Sequence, residues 1–344
     1  MGLRDEIFEQ PDVAERLLRD ARGQVDAVAS RARESRVQYG LIAARGSSDH
    51  AATYAQYALG AVARLPVALA TPSLLTRYGR APAFGQALVI GISQSGRSPD
   101  VVQVVAEGRR QGAVTVALTN DPESPLAEAA QYLVDLCAGP ELSIAATKTY
   151  SASVLAVAML AVAMGGPDAG ADLASVPAAM REGLSEEESA KAASQAHRSL
   201  KNGAVLGRGY NLATALEWAL KLKELAYVRA QGYSTADFQH GPAASLPTGG
   251  QLLAVSARGP MQDELSEVIS NLQRERRARV LLASDDPTRA PAGTTVLPFS
   301  AILPEWLSPL AAIVPIQLFC YHLAKVKELD VESPRGLRKV TLTR

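Results

Sequence analysis

A repeat about half a chain long dominates this sequence of 344 residues. Ala44-Arg45-Gly46 returns as Gly207-Arg208-Gly209, and Ser93 with Gly96 returns as Ser256 with Gly259, both 163 residues later. Leu118 and Asp121 return as Leu282 and Asp285, and Pro140-Glu141 as Pro304-Glu305, after 164 residues. Four matches with one residue of drift imply two copies of one folding unit. In each copy short apolar runs alternate with helical stretches. The first copy reads as strands over Val37–Ala44, Pro66–Ala70, Ala87–Ile92, Ala113–Thr119 and Tyr132–Leu136. These runs are nearly continuously apolar, as parallel strands covered on both faces require. The second copy offers Gly203–Gly207, Gln251–Ala257, Ala278–Ser284 and Thr294–Phe299, with a further strand near Gly232. Such alternation predicts an α/β fold of two tandem domains, each a doubly wound five-stranded parallel sheet flanked by helices.

Gly165, Gly166, Pro167 and Gly170 break the chain after the first copy, and Leu184–Leu200 is a charged, helix-compatible connector. An amphipathic helix over about Asp5–Ser35 precedes the first sheet. Lys plus Arg equals Asp plus Glu at 35 each, so no global field would draw in a polyanion, and a small-molecule partner is favoured over nucleic acid. Cys137 and Cys320 are the only cysteines and both lie in apolar runs, which reads as reduced core thiols. Met1–Arg19 is charged throughout and has no signal-peptide core. The longest apolar stretch, Val154–Met164, falls short of the roughly 18 residues a bilayer demands. A soluble, cytoplasmic protein with no membrane partner is expected.

In open parallel sheets ligands sit outside the carboxyl ends of the strands, so chemistry is sought just after each one. After Ile92 comes Ser93-Gln94-Ser95-Gly96-Arg97-Ser98-Pro99-Asp100. Ser98 suits a helix N-cap and Pro99 the first helical position, where a missing N–H does no harm. Free backbone donors at that helix tip, ringed by hydroxyls, suit a phosphate dianion. Arg45-Gly46-Ser47-Ser48-Asp49 forms a second polar loop facing the same crevice. An ordinary strand-to-helix turn needs only its glycine. The second copy keeps that glycine in Ser256-Ala257-Arg258-Gly259-Pro260-Met261 but lacks Gln94 and the hydroxyls of Ser95 and Ser98. The surplus hydroxyls of the first copy therefore point to a ligand. No Walker-type lysine or GxGxxG run follows either strand, which favours a phosphorylated metabolite over a nucleotide.

The second copy places Glu217, Lys221 and Glu224 at i, i+4 and i+7, on one helix face. Alone, this trio reads as a solvated salt-bridge ladder worth about a few tenths of a kcal/mol per pair. His240 shifts the balance, because it stands directly before Gly241-Pro242, in a turn expected to fix where the imidazole points. His197 and His322 lie in helix-like segments and read as surface or packing residues.

Taken together these motifs resemble the sugar isomerase (SIS) family. The residues that carry the likeness are Ser93-Gln94-Ser95-Gly96, Ala138-Gly139-Pro140-Glu141 with Thr147-Lys148, Leu206 to Gly209, Ala215 to Glu224, His240-Gly241-Pro242, and Asp330 to Arg335 with Lys339. The likeness runs in family order over about residues 38–344. It is nearest to the isomerase half of glucosamine-6-phosphate synthases and to stand-alone SIS-type glucosamine-6-phosphate deaminases. It implies an N-terminal helical segment over 1–36, a phosphate-binding SIS domain over 37–165 and a linker with connecting helix over 166–200. A second SIS domain with the catalytic helix and His turn follows over 201–330, then a C-terminal tail over the active site at 331–344. It implies that Ser93, Gln94, Ser95 and Ser98 bind the sugar phosphate, and that Gly46, Ser47 and Ser48 with the loop around Ile144 to Ala146 hold the sugar. Glu224 would move the proton between C1 and C2, His240 would assist ring opening, and Lys339 would lie at the carbonyl end. Glu217 and Lys221 match the charged pair beside that site. In the synthases the matching histidine comes from the neighbouring subunit, so a homodimer with shared active sites is implied.

Aldose–ketose chemistry agrees with this set. Ring opening needs an acid and a base, and an imidazole titrating near neutrality supplies either. One carboxylate suffices to carry a proton between adjacent carbons, with Lys221 or Lys339 stabilising charge on oxygen or forming a Schiff base. No cofactor or metal is expected, since no His/Cys/carboxylate cluster has metal-ligand spacing. The first sugar-domain strand begins about 36 residues after Met1, so no ammonia-generating half is expected and deamination of glucosamine 6-phosphate to fructose 6-phosphate is favoured. Ser98-Pro99-Asp100 is similar to the deaminases, where the synthases usually have Glu-Thr nearby. Ala146 replaces a sugar-contacting serine, and Arg45 a smaller residue, which leaves galactosamine 6-phosphate or a fructosamine 6-phosphate as other substrates. A non-catalytic sugar-phosphate sensor would need the phosphate loop but not Glu224, His240 and Lys339 together.

Overall fold

A computed structural model describes residues 2–165 and 171–339. The expected break at Gly166, Pro167 and Gly170 and the tail residues Val340–Arg344 lie outside the described residues. Three helices come first, α1 (Leu3–Phe8), α2 (Gln10–Asp20) and α3 (Arg22–Glu34). The expected single helix over Asp5–Ser35 is thus divided. Pro11 has no N–H to continue the ladder from α1, and a shallower break at Ala21 precedes Gly23, a poor helix former. There follow β1 (Tyr39–Ala43), α4 (Ser47–Val62), β2 (Val67–Leu69), α5 (Ser73–Thr76), β3 (Ala87–Ile92), α6 (Pro99–Arg110) and β4 (Val114–Thr119). Then come α7 (Pro125–Ala129), β5 (Tyr132–Asp135), α8 (Lys148–Gly165), α9 (Val176–Ser185), α10 (Glu187–Ala196), β6 (Asn202–Gly207) and α11 (Asn211–Ala226). The chain continues through β7 (Arg229–Ser234), α12 (Thr235–Gln239), β8 (Gln251–Ser256), α13 (Gln262–Arg276), β9 (Arg279–Ser284), β10 (Thr295–Pro298) and α14 (Ser308–Val326).

The described residues form two compact units. One holds 12–141, 148–165, 171–174 and 338–339. Its sheet is fully parallel in the order β2-β1-β3-β4-β5, with Tyr39 opposite Ala87 and Leu88 opposite Val114. Every residue of β3 and β4 is buried, which is why β3 shows no polar alternation and β4 admits only Thr115 and Thr119 as polar residues. Helix α6 covers one face through Val101, Val104 and Val105, packed with Val89 and Leu126. The order reverses between β1 and β3, so the loops after these two strands flank the crevice where ligands of such sheets bind.

The other unit holds 2–11, 142–147 and 175–337. Its parallel sheet has the order β7-β6-β8-β9-β10, the same as the first when β6 is matched with β1. Phe238, Leu246, Leu265, Ile269 and Leu272 pack on one face against Leu206, Leu252 and Val280. His197 is buried with Nδ1 2.9 Å from Gln251 Oε1, and His322 reaches Glu187 at 3.1 Å, so both are packing residues. Two helices are long and apolar enough to cross a membrane, Lys148–Gly165 and the stretch Glu305–Val326, where the sequence reading expected none. Each is a core helix of its own unit, 78% and 89% buried respectively.

Candidate active site

The loop after β3 is shaped by Gly96. Its φ of +61° lies in the left-handed region, and a Cβ there would stand 2.0 Å from Ser124 Oγ, so no other residue fits. The Gly96 N–H donates to Ser93 O at 3.1 Å, and the Asn120 N–H and Thr119 hydroxyl both donate to Gln94 O, at 3.1 and 3.3 Å. These bonds tie the loop to the end of β4. Ser98 occupies the N-cap and Pro99 opens α6, but the Ser98 hydroxyl makes no cap bond. It lies 3.4 Å from Ser93 Oγ, so the two hydroxyls face each other across the turn. The expectation of a helix tip with free donors needs correction. Asp100, 2% exposed, accepts the Val101 N–H through Oδ1 at 3.0 Å. Its Oδ2 takes Arg45 Nε at 2.7 Å. The pair joins the loop after β1 to the helix after β3, and half-exposed Arg45 brings a positive charge to the crevice. Sequence reasoning noted Arg45 only as a departure and missed its partner.

Gly46, at φ +57°, turns the chain into α4, placing Ser47 and Ser48 half-buried in its first turn. Burial pushes the Asp49 carboxyl above its ordinary range, against the pull of His50 and Arg45. At the other end of this unit's sheet order, buried Glu141 accepts Thr149 N–H at 3.1 Å and Thr149 Oγ1 at 2.8 Å. Lys339 donates to the same carboxylate at 2.8 Å, so the ammonium expected at a sugar carbonyl is ion-paired in this structure.

The remaining site residues belong to the second unit. Ile144 and Ala146 are half-buried in the segment 142–147, whose entry is held by the fully buried Glu6 carboxylate of α1. Glu6 accepts the N–H groups of Leu142 and Ser143, the latter at 3.1 Å. No local signal near Glu6 could have shown this role, because its partner Ser143 is 137 residues away.

Helix α11 carries the charged trio. Gly207 lets it start close to β6, since a Cβ there would stand 2.2 Å from Asn211 O. Lys221 is 1% exposed and Glu217 0%, with Nζ 3.3 Å from Glu217 Oε1 and 2.5 Å from Glu224 Oε2. The solvated-ladder reading is therefore wrong for this trio. Burial works to strip the proton from Lys221, but the two carboxylates outweigh it and hold the ammonium above the usual lysine range. Such a lysine stays charged and is a poor amine nucleophile. Glu224 is the trio's outer member, with 20% of its side chain exposed.

His240 is the C-cap of α12, followed by Gly241 at φ +137°. The turn is defined, yet the imidazole is exposed and has no side-chain partner among the described residues, so the turn fixes the backbone rather than the ring. The loop after β8 matches the first unit's phosphate loop in sequence but not in chemistry. A Cβ on Gly259 would stand 2.3 Å from Glu305 Oε2, and the Arg258 N–H donates to Asp285 Oδ1 at 2.9 Å. Burial raises both Asp285 and Glu305, with Asp286 adding to the first against the pull of Arg258, and Asp285 adding to the second. Glu305 lines this crevice beside Arg208, whose guanidinium is paired with Glu264, so the loop offers no cradle of hydroxyls like that of the first unit. Among the described residues no group of three His, Cys, Asp or Glu could hold a metal ion.

A family model described as SIS domain matches residues 40–163. The chain is 33% identical over 343 residues to the glutamine–fructose-6-phosphate aminotransferase (isomerizing) of Methanothermobacter thermautotrophicus, covering 97% of this chain and 56% of that protein. It thus spans about half the length of the curated relatives it matches. A solved structure from Silicibacter pomeroyi DSS-3, provisionally named a phosphosugar isomerase, is 33% identical with a TM-score of 0.87. That match covers 96% of this chain and 99% of the other. The C-terminal domain of glucosamine-fructose-6-phosphate aminotransferase from Francisella tularensis shares the fold at 24% identity, with a TM-score of 0.85 and coverage of 96% and 98%. With one relative matched along nearly its whole length and the domain model matched as well, the chain belongs to the SIS domain family.

Proposed function

We propose that this protein, read as two tandem SIS domains, is a phosphosugar isomerase that acts as an amino-sugar-phosphate deaminase, converting glucosamine 6-phosphate and water to fructose 6-phosphate and ammonia. The observation that carries this reading is the buried Glu217–Lys221 pair with Glu224 as its partly exposed outer member. A sensor of sugar phosphates would gain nothing from burying such charges, whereas proton transfer needs a carboxylate held in one place. The name and identity of the Silicibacter pomeroyi relative support the isomerase class.

In this reading Ser93, Gln94, Ser95 and Ser98 take the phosphate, helped by the positive charge of Arg45. Gly46, Ser47, Ser48, Ile144 and Ala146 hold the sugar. His240 opens the ring. Glu224 then removes the C2 proton of the open aldehyde, giving an enolamine, and returns a proton to C1. This leaves a C2 imine beside a C1 alcohol. Water adds to the imine carbon and the nitrogen leaves as ammonia, giving the ketone. Lys221 fixes Glu224 and offers it a permanent cation, and Lys339, released from Glu141, would stabilise the substrate oxygen. The exposed imidazole of His240, which has no side-chain partner among the described residues, is consistent with a homodimer whose subunits share sites.

Ammonia release from glucosamine 6-phosphate tests the assignment. Glu224→Gln should lower kcat by about 10²–10⁴-fold while sugar-phosphate binding persists, and Ser95→Ala should raise KM. Galactosamine 6-phosphate and fructosamine 6-phosphates complete the panel. Sugar-phosphate binding without turnover on all three substrates would replace this reading with that of a sensor.

A further inference from the structure

The unit built on β6–β10 contains a cavity of about 500 Å³ at the opposite end of its sheet from the loops described above. Four strands begin at it, with Asn202, Arg229, Gln251 and Arg279 as their first residues. The carboxyl end of a six-residue strand such as β8 is about 20 Å away at roughly 3.3 Å per residue. Lys201, Arg229 and Arg279 line the cavity, and no Asp or Glu does. None of the three cations forms an ion pair among the described residues. Their backbones are fixed, since the Arg229 N–H donates to Lys201 O and the Arg279 N–H to Gly250 O, both at 2.9 Å. The Arg279 guanidinium is anchored to Ala196 O at 3.0 Å.

The field of these cations registers on their neighbours. Lys327 is held below its ordinary range by burial and then by Lys201, and His197 by burial, with Arg279 adding to the effect and Gln251 opposing it. Cations without an acidic neighbour along a concave wall focus a field that an anion would satisfy. Tyr233 and Phe238, 5.5 Å apart, add an aromatic surface, and Gln231 and Gln251 add amides.

We propose that this cavity is a second binding site, for a small phosphate monoester on a hydroxylated carbon skeleton, with the cations taking the phosphate and the amides and Tyr233 taking the carbon chain. Phe238 belongs to α12, which ends at His240, so occupancy acts on the segment that carries the imidazole. The site is thus placed to regulate the turn.

The test uses the full chain and glucose 6-phosphate, with inorganic phosphate as a second probe and glucose as the neutral control. Ser95→Ala/Ser98→Ala weakens the first phosphate loop, so the share of binding then lost on changing the cavity cations reports the second site. Titration calorimetry on that variant should show glucose 6-phosphate binding, weakened at least tenfold by adding Lys201→Met/Arg229→Gln and weakened by salt. In the wild type, hydrogen exchange should slow at residues 201–204, 229–233 and 235–239 when glucose 6-phosphate is added, a readout that requires no variant to fold. Protection at these segments supports the site even if the 93–98 loop proves inert. No protection there at saturation, or equal binding of glucose, overturns it.

Discussion

A lysine deprived of solvent persists only where its charge is balanced, and Lys221 is held that way by Glu217 and Glu224. Removing the cation leaves Glu217 buried and uncompensated. Lys221→Met should therefore destabilise the protein by about 3–5 kcal/mol. The control Lys223→Met, on the exposed face of the same helix, should stay within about 0.5 kcal/mol of wild type. Urea unfolding midpoints decide the point, and equal midpoints for the two variants would show that the trio is not an electrostatic unit. The shared helix face of these residues was readable from their spacing. Their burial was not, because it depends on α14, whose Cys320 senses the charge of Lys221. Arg45 and Asp100 repeat the point, since each looked unremarkable until the fold set them 2.7 Å apart.

Among the elements, α1 is six residues long, too short to be stable alone, and gains its place through contacts such as Glu6 with the segment 142–147. Hydrogen bonds to a charged acceptor are worth about 1.5–3 kcal/mol each. Glu6→Ala should therefore release the amides of Leu142 and Ser143, and their hydrogen exchange should rise by at least about tenfold. Unchanged exchange at both would mean that the segment is held by other contacts. The proposed sugar-binding role of Ile144 and Ala146 adds that KM should rise while kcat changes less. At this level the strands were largely legible, because β3 and β4 are mostly apolar runs, buried at every position, that end where turn residues begin. Helix breaks were less so. Asp5–Ser35 has one continuous amphipathic pattern, and only the backbone shows that it divides at Glu9, two residues before Pro11, and at Ala21.

For the molecule as a whole, the two sheets share one strand order but not one chemistry, since hydroxyls line the first unit's loop after β3 and carboxylates the second unit's loop after β8. The proposed division of labour within a shared-site homodimer makes a mixing prediction. Glu224→Gln and His240→Ala, each inactive alone, should recover about one quarter of wild-type activity when co-refolded, because random pairing gives half mixed dimers with one intact site each. No recovery, with mixed dimers shown to form, would mean that each chain uses its own histidine. Hydrophobic periodicity and turn chemistry are local, so the amino-acid order alone settled the α/β class, and it put the Ser93 motif after a strand and Glu224 on a helix. Burial, ion pairing and the seating of Glu6, Arg45 and Lys339 depend on residues far apart in the chain. Those were settled only when the backbone brought distant charges into one low-dielectric neighbourhood, where each must find a partner.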